Sequence, residues 1–590
     1  MDTSLEASVQ GAMPAREDSR YERFVGLLSK PHAPLGLALV AFALSLPAIA
    51  IGLTGDDYDG ALSVTRDPLG GYMSTSLDPE LRHEQMLSWR SAGELPWWAD
   101  PDFHLALLRP LASLSLALDF EFWPSAPWLM HLENSLIFAL TILVAASVYK
   151  AMGLSSRACG LATAFYAFEP GPAMSVGWIS ARNTLLATLF GLLTVRLALA
   201  AYGGSGRGWH ARAASWLCFA LALASGEFGV SALAYVLALA LFLDRRPLVE
   251  QLGLLSGFAL VLLAWLAAYK LGGYGSAHSG YYVDASRDPV VYLLQLFSSI
   301  PIYLASVLTF PLAALSVLSE LWTAALLIAA LAVLFMSRRL WLPFLRDDAR
   351  ARALGAGAVL AIVPLGSSPP QDRLVSFIAL GVCGLVALVV EQRLGAAQLK
   401  PRKGALRLLR YRVVWAPILF VPLLFTSNGA AAGGGGRVLD GVIAQDERHV
   451  LLINAPTDLP AHFVASKRRW LGEPKPAIDL LYAGGNDVEL TRTGERTLEL
   501  TVAAGYFQGR IEQIGRDPRR SPFQVNDAIA AVRMRAQVLA VKGGAPTRVR
   551  FDFTEPLSEA LVLAWQGKTV APIELPKVGQ SIQIQRASIL

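Results

Sequence analysis

Apolar stretches of about 20 residues recur through the first 427 positions, separated by short polar or basic segments, and then stop. A helix of about 20 residues crosses the roughly 30 Å hydrocarbon layer of a bilayer. The pattern predicts eleven membrane-spanning helices, near 34–54, 127–149, 157–170, 176–201, 213–225, 228–243, 252–271, 320–336, 353–366, 374–390 and 413–427. Lys and Arg in short loops stay on the cytoplasmic side. The basic loops Lys150–Arg157, Gly203–Arg212, Asp244–Glu250, Arg338–Arg352 and Glu391–Arg412 alternate with the remaining loops. This predicts a cytoplasmic tail over 1–33, a transmembrane domain over 34–427 with an external loop at 55–126, and an external C-terminal part.

Two segments break the rhythm. Pro301 and Pro311 interrupt the apolar run from Asp288 to about Leu315, and a full span there would reverse the sign of every later loop. It is expected to be a surface-lying or re-entrant helix. The segment Phe103–Trp123 carries Arg109, Asp119 and Glu121 and reads as an interfacial helix of the first external loop. Trp97, Trp98 and Trp123 read as anchors at the membrane boundary.

After Phe425 the period changes. A Gly/Ala linker over 428–436 leads into short β-rich runs, Val450–Asn454, Thr497–Val502, Gln537–Val541 and Arg548–Phe553, the last alternating polar and apolar residues. Turn residues at 484–487 and 543–544 punctuate them. Residues 437–590 suffice for one core, expected to be an all-β sandwich. Trp470, Tyr506 and Trp565 are expected to fill it, with a carbohydrate platform as the other reading.

Composition agrees: 54% hydrophobic residues against 16% charged leave too little polar surface for a soluble protein of 590 residues. The net charge of +5 reflects the basic loops and gives no reason to expect nucleic acid. Cys159, Cys218 and Cys383 lie in apolar surroundings, at spacings that fit neither a disulfide framework nor a zinc site.

With charge kept out of the spans, the exceptions stand out. Asp56, Asp57 and Asp59 end the first span, Glu169 ends the third, Glu227 lies between the fifth and sixth, and Asp372-Arg373 follow Pro369-Pro370. All fall on the predicted external side, which suggests one shared polar cavity. The Gly-rich, aromatic segment 272–284 lacks the pattern of a phosphate loop and reads as an external loop able to cover that cavity.

The order of these groups carries a resemblance. An acidic pair follows the first span, then come Arg109-Pro110-Leu111, His131-Leu-Glu-Asn134, Glu169-Pro170, the run Gly177-Trp-Ile-Ser-Ala-Arg182-Asn183, Ser225-Gly226-Glu227 and Asp372-Arg373. The series resembles the GT-C superfamily of polyprenyl-phosphate-sugar-dependent glycosyltransferases over residues 34–390, in particular the protein O-mannosyltransferase branch and the transmembrane O-mannosyltransferases with tetratricopeptide repeats. It departs from them in having Glu169-Pro170 for His-Pro, Met174 for an acidic residue, Gly226-Glu227 for Lys-Glu, and a β-rich domain in place of the repeats.

The resemblance implies a GT-C-like membrane fold and transfer of a sugar from a polyprenyl-phosphate carrier to a protein or glycan hydroxyl by an inverting, single displacement. The setting would be the outer face of a bacterial inner membrane, with the N-terminus cytoplasmic and the C-terminal domain periplasmic. Such a transfer needs a base for the acceptor proton and positive charge for the departing phosphate. Asp56 is expected to be the base, and Asp57 to orient the loop or help hold a cation. Arg373, Arg109 and Arg182 are the candidates for gripping the lipid phosphate. Arg373 has a second reading as the partner of Asp372, and Arg182 one as a bridge to Glu169. His131 and Asn134, one helical turn apart, face the acceptor or the acidic loop. Glu227 caps a helix or supports the catalytic loop.

Asp57 and Asp59 also fit a pattern that holds Mg or Mn with a nucleotide sugar. The predicted external side argues against nucleotide sugars. Two other classes remain open: a non-catalytic binding or assembly factor of the same fold in envelope glycan handling, and a transporter, against which stands the lack of an internal repeat.

Overall fold

The computed structural model describes residues 15–70, 75–91, 93–202, 208–395, 402–426, 433–531 and 533–588. Residues 1–14 of the N-terminal tail, residues 203–207 of the Gly203–Arg212 loop, residues 396–401 and the first part of the linker lie outside them.

Among the described residues, eight helical runs are long and apolar enough to cross a membrane: Ala33–Ala50, Pro127–Ala151, Ile179–Ala201, Leu248–Leu271, Pro289–Leu308, Glu320–Asp347, Ala349–Ser367 and Ser376–Arg393. Helices Ser156–Ala167, Gly208–Ser225, Glu227–Phe242 and Ala416–Leu424 stand at the other expected spans. The protein is a multi-pass membrane protein with a C-terminal β domain. Prolines open the first turn at Pro127 and, for shorter helices, at Pro110 and Pro289, where a missing N–H costs nothing. Burial sorts the passes: 83% of the span Ser376–Arg393 is buried against 11% of Leu248–Leu271 and 6% of Glu320–Asp347. The first is therefore central and the other two face lipid.

Contacts identify the two ends. Glu22 meets Arg157 at 3.3 Å, Ser155 bonds Glu391, Arg350 donates to the Gly153 carbonyl at 2.7 Å and Arg246 to that of Ala201 at 3.5 Å. Apart from Glu22 of the N-terminal tail and Ala201 at the end of a predicted span, these groups belong to the predicted basic loops. The acidic residues and the C-terminal domain lie at the other end.

Helix Pro289–Leu308 is long and apolar enough to cross a membrane, and Pro301 does not interrupt it. It nevertheless does not change ends. Asp288 at its start pairs with Arg520 at 2.5 Å, while just after it the Val317 carbonyl accepts from the Arg510 N–H at 3.0 Å. Both flanks thus touch the C-terminal domain, as a re-entrant or surface-lying helix must. Arg412, by contrast, was counted within a basic loop and is fully buried inside the bundle at a π-helical turn, Tyr411–Trp415.

The C-terminal domain stacks two sheets around one apolar core. Six antiparallel strands run in the order Ser581–Ile584, Val488–Arg492, Thr497–Thr501, Ala545–Phe553, Met534–Lys542 and Ala528–Ala530. The other sheet orders Thr569–Pro572, Leu561–Gln566, His449–Ala455 and Ala477–Ala483, and His449–Ala455 is parallel to both its neighbours, with Leu452 opposite Leu480. Parallel neighbours need a crossover. Here it is helix Leu459–Leu471, opened by Pro460 and closed by left-handed Gly472 at φ 68°. The sandwich is present, with this helix added to it. The predicted linker also shortens, because Gly433 begins helix Gly433–Asp440.

Tyr506 and Trp565 are buried in the domain core as expected. Trp470 is not; it stacks edge-on against Phe120 of the external-loop helix Pro110–Phe122, at 5.3 Å. Trp97 and Trp98 are corrected most clearly. They are 2% exposed and lie inside the C-terminal domain's core, where indole faces find aromatic partners instead of a membrane boundary.

Candidate functional site

The first span ends in tight turns at Gly52 and Gly55, both with positive φ, which glycine alone adopts freely. These turns present Asp56 as the residue preceding helix Asp57–Arg66. Asp56 Oδ1 accepts the indole N–H of Trp178 at 2.6 Å. Asp57 points elsewhere: one oxygen takes the Thr54 N–H at 2.9 Å, the other the Ser180 N–H at 2.8 Å. It therefore pins the acidic turn to the segment bearing Trp178. Burial pushes Asp57 up to about 6 against these hydrogen bonds, and burial followed by the neighbouring Asp57 holds Asp56 well above the ordinary carboxylate range.

Over the ring of Trp178 lies Arg373, its guanidinium carbon 5.1 Å from the ring centre. Arg373 Nε donates to Gln371 Oε1 at 2.5 Å, and the Gln371 amide donates to the Tyr281 hydroxyl. The expected alternative partner, Asp372, is taken by Ser306 and by the Ala314 N–H at 2.9 Å. Among the described residues no carboxylate pairs with Arg373. Arg109 Nε donates to Glu227 Oε2 at 2.8 Å, so these two candidates form one unit. Tyr282 joins the groups: its phenol, raised chiefly by burial, feels Arg373, Arg109, Asp56 and Glu227 together. Tyr282 belongs to the segment 272–284, whose strand Gly275–Ala277 pairs with His104–Ala106.

Four candidates fall outside this cluster. Arg182, 1% exposed, is saturated by Asp119, Glu133 at 3.0 Å, Asn134 at 2.8 Å and the Met130 carbonyl at 2.9 Å. A buried guanidinium with these partners is not free for a phosphate, and its bridge is not to Glu169, which pairs with Arg412. His131 contacts the Gly52 carbonyl at 3.1 Å, and Asn134 donates to the carbonyls of Val176 and Trp178 at 3.3 and 3.4 Å. Both are wholly buried and fix the backbone on either side of the site. Asp59 accepts from Ser466 and meets His462 Nε2 at 2.9 Å. Asp57 and Asp59 consequently do not converge, and no group of three or more His, Cys, Asp or Glu assembles as a metal site among the described residues. The arrangement does not fit the divalent cation expected of that pair.

His462 was not visible as a functional group in the sequence. Its Nδ1 faces the Glu94 carbonyl at 3.1 Å and its Nε2 faces Asp59, so both nitrogens need a proton. Burial pushes this imidazole down, but Asp59 and the Glu94 carbonyl outweigh it and raise it to about 9. A free imidazole titrates near 6.5. The stabilisation is therefore complete below about pH 6.5 and is lost as pH rises through about 9. The thermal midpoint of the purified protein should fall across that interval, and His462→Gln should remove most of the fall.

No protein-family model and no curated protein matches the chain. Among solved structures it is similar to ArnT from Cupriavidus metallidurans bound to undecaprenyl phosphate, at 14% identity and TM-score 0.39 over 76% of this chain and 85% of that one. It is also similar to the oligosaccharyltransferase AglB from Archaeoglobus fulgidus in complex with an inhibitory peptide and a dolichol-phosphate, at 10% and 0.39 over 76% and 64%. A third is the arabinofuranosyltransferase AftD from Mycobacteria, at 15% and 0.37 over 72% and 30%.

Proposed function

We propose that this protein is a GT-C-type glycosyltransferase that moves a sugar from a polyprenyl-phosphate carrier to a hydroxyl of a protein or glycan, at the end of the bundle that bears the C-terminal domain. The observation that supports the reading is the placement of a carboxylate and a guanidinium about one indole: Asp56 accepts the Trp178 N–H, Arg373 lies over the ring, and among the described residues no carboxylate forms an ion pair with Arg373. Asp56 takes the acceptor hydroxyl proton as the acceptor oxygen attacks the anomeric carbon. The bond from that carbon to the phosphate oxygen breaks, its electron pair stays on the phosphate, and Arg373 meets the charge. One displacement inverts the anomeric centre. The Arg109–Glu227 pair and Tyr282 close the site from the side of the external loops.

Basic loops at the opposite end favour a bacterial inner membrane with that end cytoplasmic and the C-terminal domain periplasmic. Two measurements test the reading. Purified protein in vesicles should consume a polyprenyl-phosphate-linked sugar, and Arg373→Leu should weaken binding of undecaprenyl phosphate by about tenfold or more, the scale of a lost charged hydrogen bond. C-terminal reporter fusions should be active only outside the cytoplasm. A cytoplasmic signal would put the acidic site on the wrong side for a flipped lipid donor, and a protein that binds the lipid without consuming it would favour the non-catalytic reading.

A further inference from the structure

Trp178 occupies a position that its residue type alone does not explain. An indole offers one N–H and two broad faces. Here the N–H is spent on Asp56 at 2.6 Å, and a face is spent on Arg373 at 5.1 Å, although the side chain is only half-buried. The backbone beneath it is held from three directions. Asn134 donates to the carbonyls of Val176 and of Trp178 itself. Asp57 receives the Ser180 N–H at 2.8 Å. Gly177 packs so closely on the last span that a Cβ there would fall 1.9 Å from the Leu424 carbonyl oxygen. Trp178 is extended, at φ −133° and ψ 112°, and leads directly into the 3-10 turn Ile179–Ala181. A side chain on such a fixed base has little freedom to drift.

We infer that Trp178 is a positioning residue that sets the separation and orientation of the base Asp56 and the phosphate-binding Arg373, so that one ring coordinates the two halves of the transfer. The inference rests on the proposed function for what the two groups do, and on the geometry alone for what the ring does to them. The indole N–H donates to the ionised carboxylate, favouring the form a base needs. It also occupies Oδ1, which leaves Oδ2 to face the acceptor. The ring attracts the guanidinium, which lies 5.1 Å from the ring centre. A direct Asp56–Arg373 ion pair would cancel both functions, and the two separate contacts with the indole give each group another partner.

The two duties are separable by substitution. Trp178→Phe keeps an aromatic face and removes the N–H. Trp178→Leu removes both. Carbodiimides attack the protonated carboxyl, so labelling of Asp56 across pH, read by peptide mass spectrometry on the full-length protein, reports its ionisation without requiring activity. In Trp178→Phe the labelling curve and the acid limb of the transfer rate should both move upward by about one pH unit, the worth of a hydrogen bond to a charged group. Binding of undecaprenyl phosphate should stay within about twofold in Trp178→Phe and weaken about tenfold in Trp178→Leu, on the scale of a cation–π contact at a desolvated site. An unshifted labelling curve in Trp178→Phe, with a uniform loss of folded protein, would overturn the inference and leave Trp178 as packing. A shifted labelling curve in a protein that neither binds undecaprenyl phosphate nor transfers sugar would uphold the positioning and overturn the proposed function instead.

Discussion

Asp56→Asn lowers sugar transfer by about 10²- to 10⁴-fold, the contribution of a positioned general base, with little change in the amount of folded protein. The amide keeps the size of the side chain, and its oxygen still accepts the Trp178 N–H that now spans 2.6 Å. What it cannot do is take a proton. The wild-type rate should fall on the acid side at a pH above the ordinary carboxylate range, because burial and then the adjacent Asp57 hold Asp56 upward. A base works when ionised, so activity is lost as pH falls through that raised value and is unaffected by this group above it. Asp57→Asn gives the contrast. Asp57 is 1% exposed, and its two oxygens bind the N–H groups of Thr54 and Ser180. Its loss should unpin the turn and lower thermal stability along with activity. Full transfer activity in Asp56→Asn, measured with a lipid-linked sugar in vesicles, would remove Asp56 from the mechanism.

The membrane architecture was legible because hydrocarbon imposes one length and one polarity on every pass, and the signal survives without knowledge of neighbours. The same logic exposed Asp56: a carboxylate beside an apolar span stands out whatever it touches. Which of several such groups remains free depends on partners far along the chain. Arg182 and Arg373 look alike in sequence, yet Arg182 is claimed by Asp119 and Glu133, while Arg373 meets Gln371 and an indole and, among the described residues, forms no ion pair with a carboxylate. Glu169 finds Arg412, more than 240 positions away and inside a stretch that reads as a basic loop. A π-helical turn places that arginine, and no periodicity announces one. Helix Leu459–Leu471 has a proline in its first turn and a left-handed Gly472 at its end, and it lies within the region that the short β runs mark as an all-β domain. Its consequence is functional, because His462 and Ser466 on that helix grip Asp59 in the acidic turn.

That grip makes the C-terminal domain part of the site's scaffold, and Trp97→Ala is the change that should loosen it most. Trp97 is 2% exposed and lies 5.6–5.8 Å, ring centre to ring centre, from Trp98, Tyr506, Phe523 and Phe551, with its N–H on the Leu481 carbonyl at 3.2 Å. Truncating so large a core side chain costs about 3–5 kcal/mol, a large share of what a domain of this size possesses. The lost core belongs to the C-terminal domain, but the side chain belongs to the first external loop, so the two should come apart together. Residues 437–588 should become protease-sensitive at temperatures where the wild type resists, and transfer should fall even though Asp56, Trp178 and Arg373 are untouched. Trp128→Ala provides the comparison, since Trp128 is 50% exposed in the first turn of its helix and should change stability by no more than about 0.5 kcal/mol. Equal protease resistance in the two variants would mean that the external loop and the C-terminal domain are joined by something other than the tryptophan pair, and that the acidic turn owes its position to the membrane bundle alone.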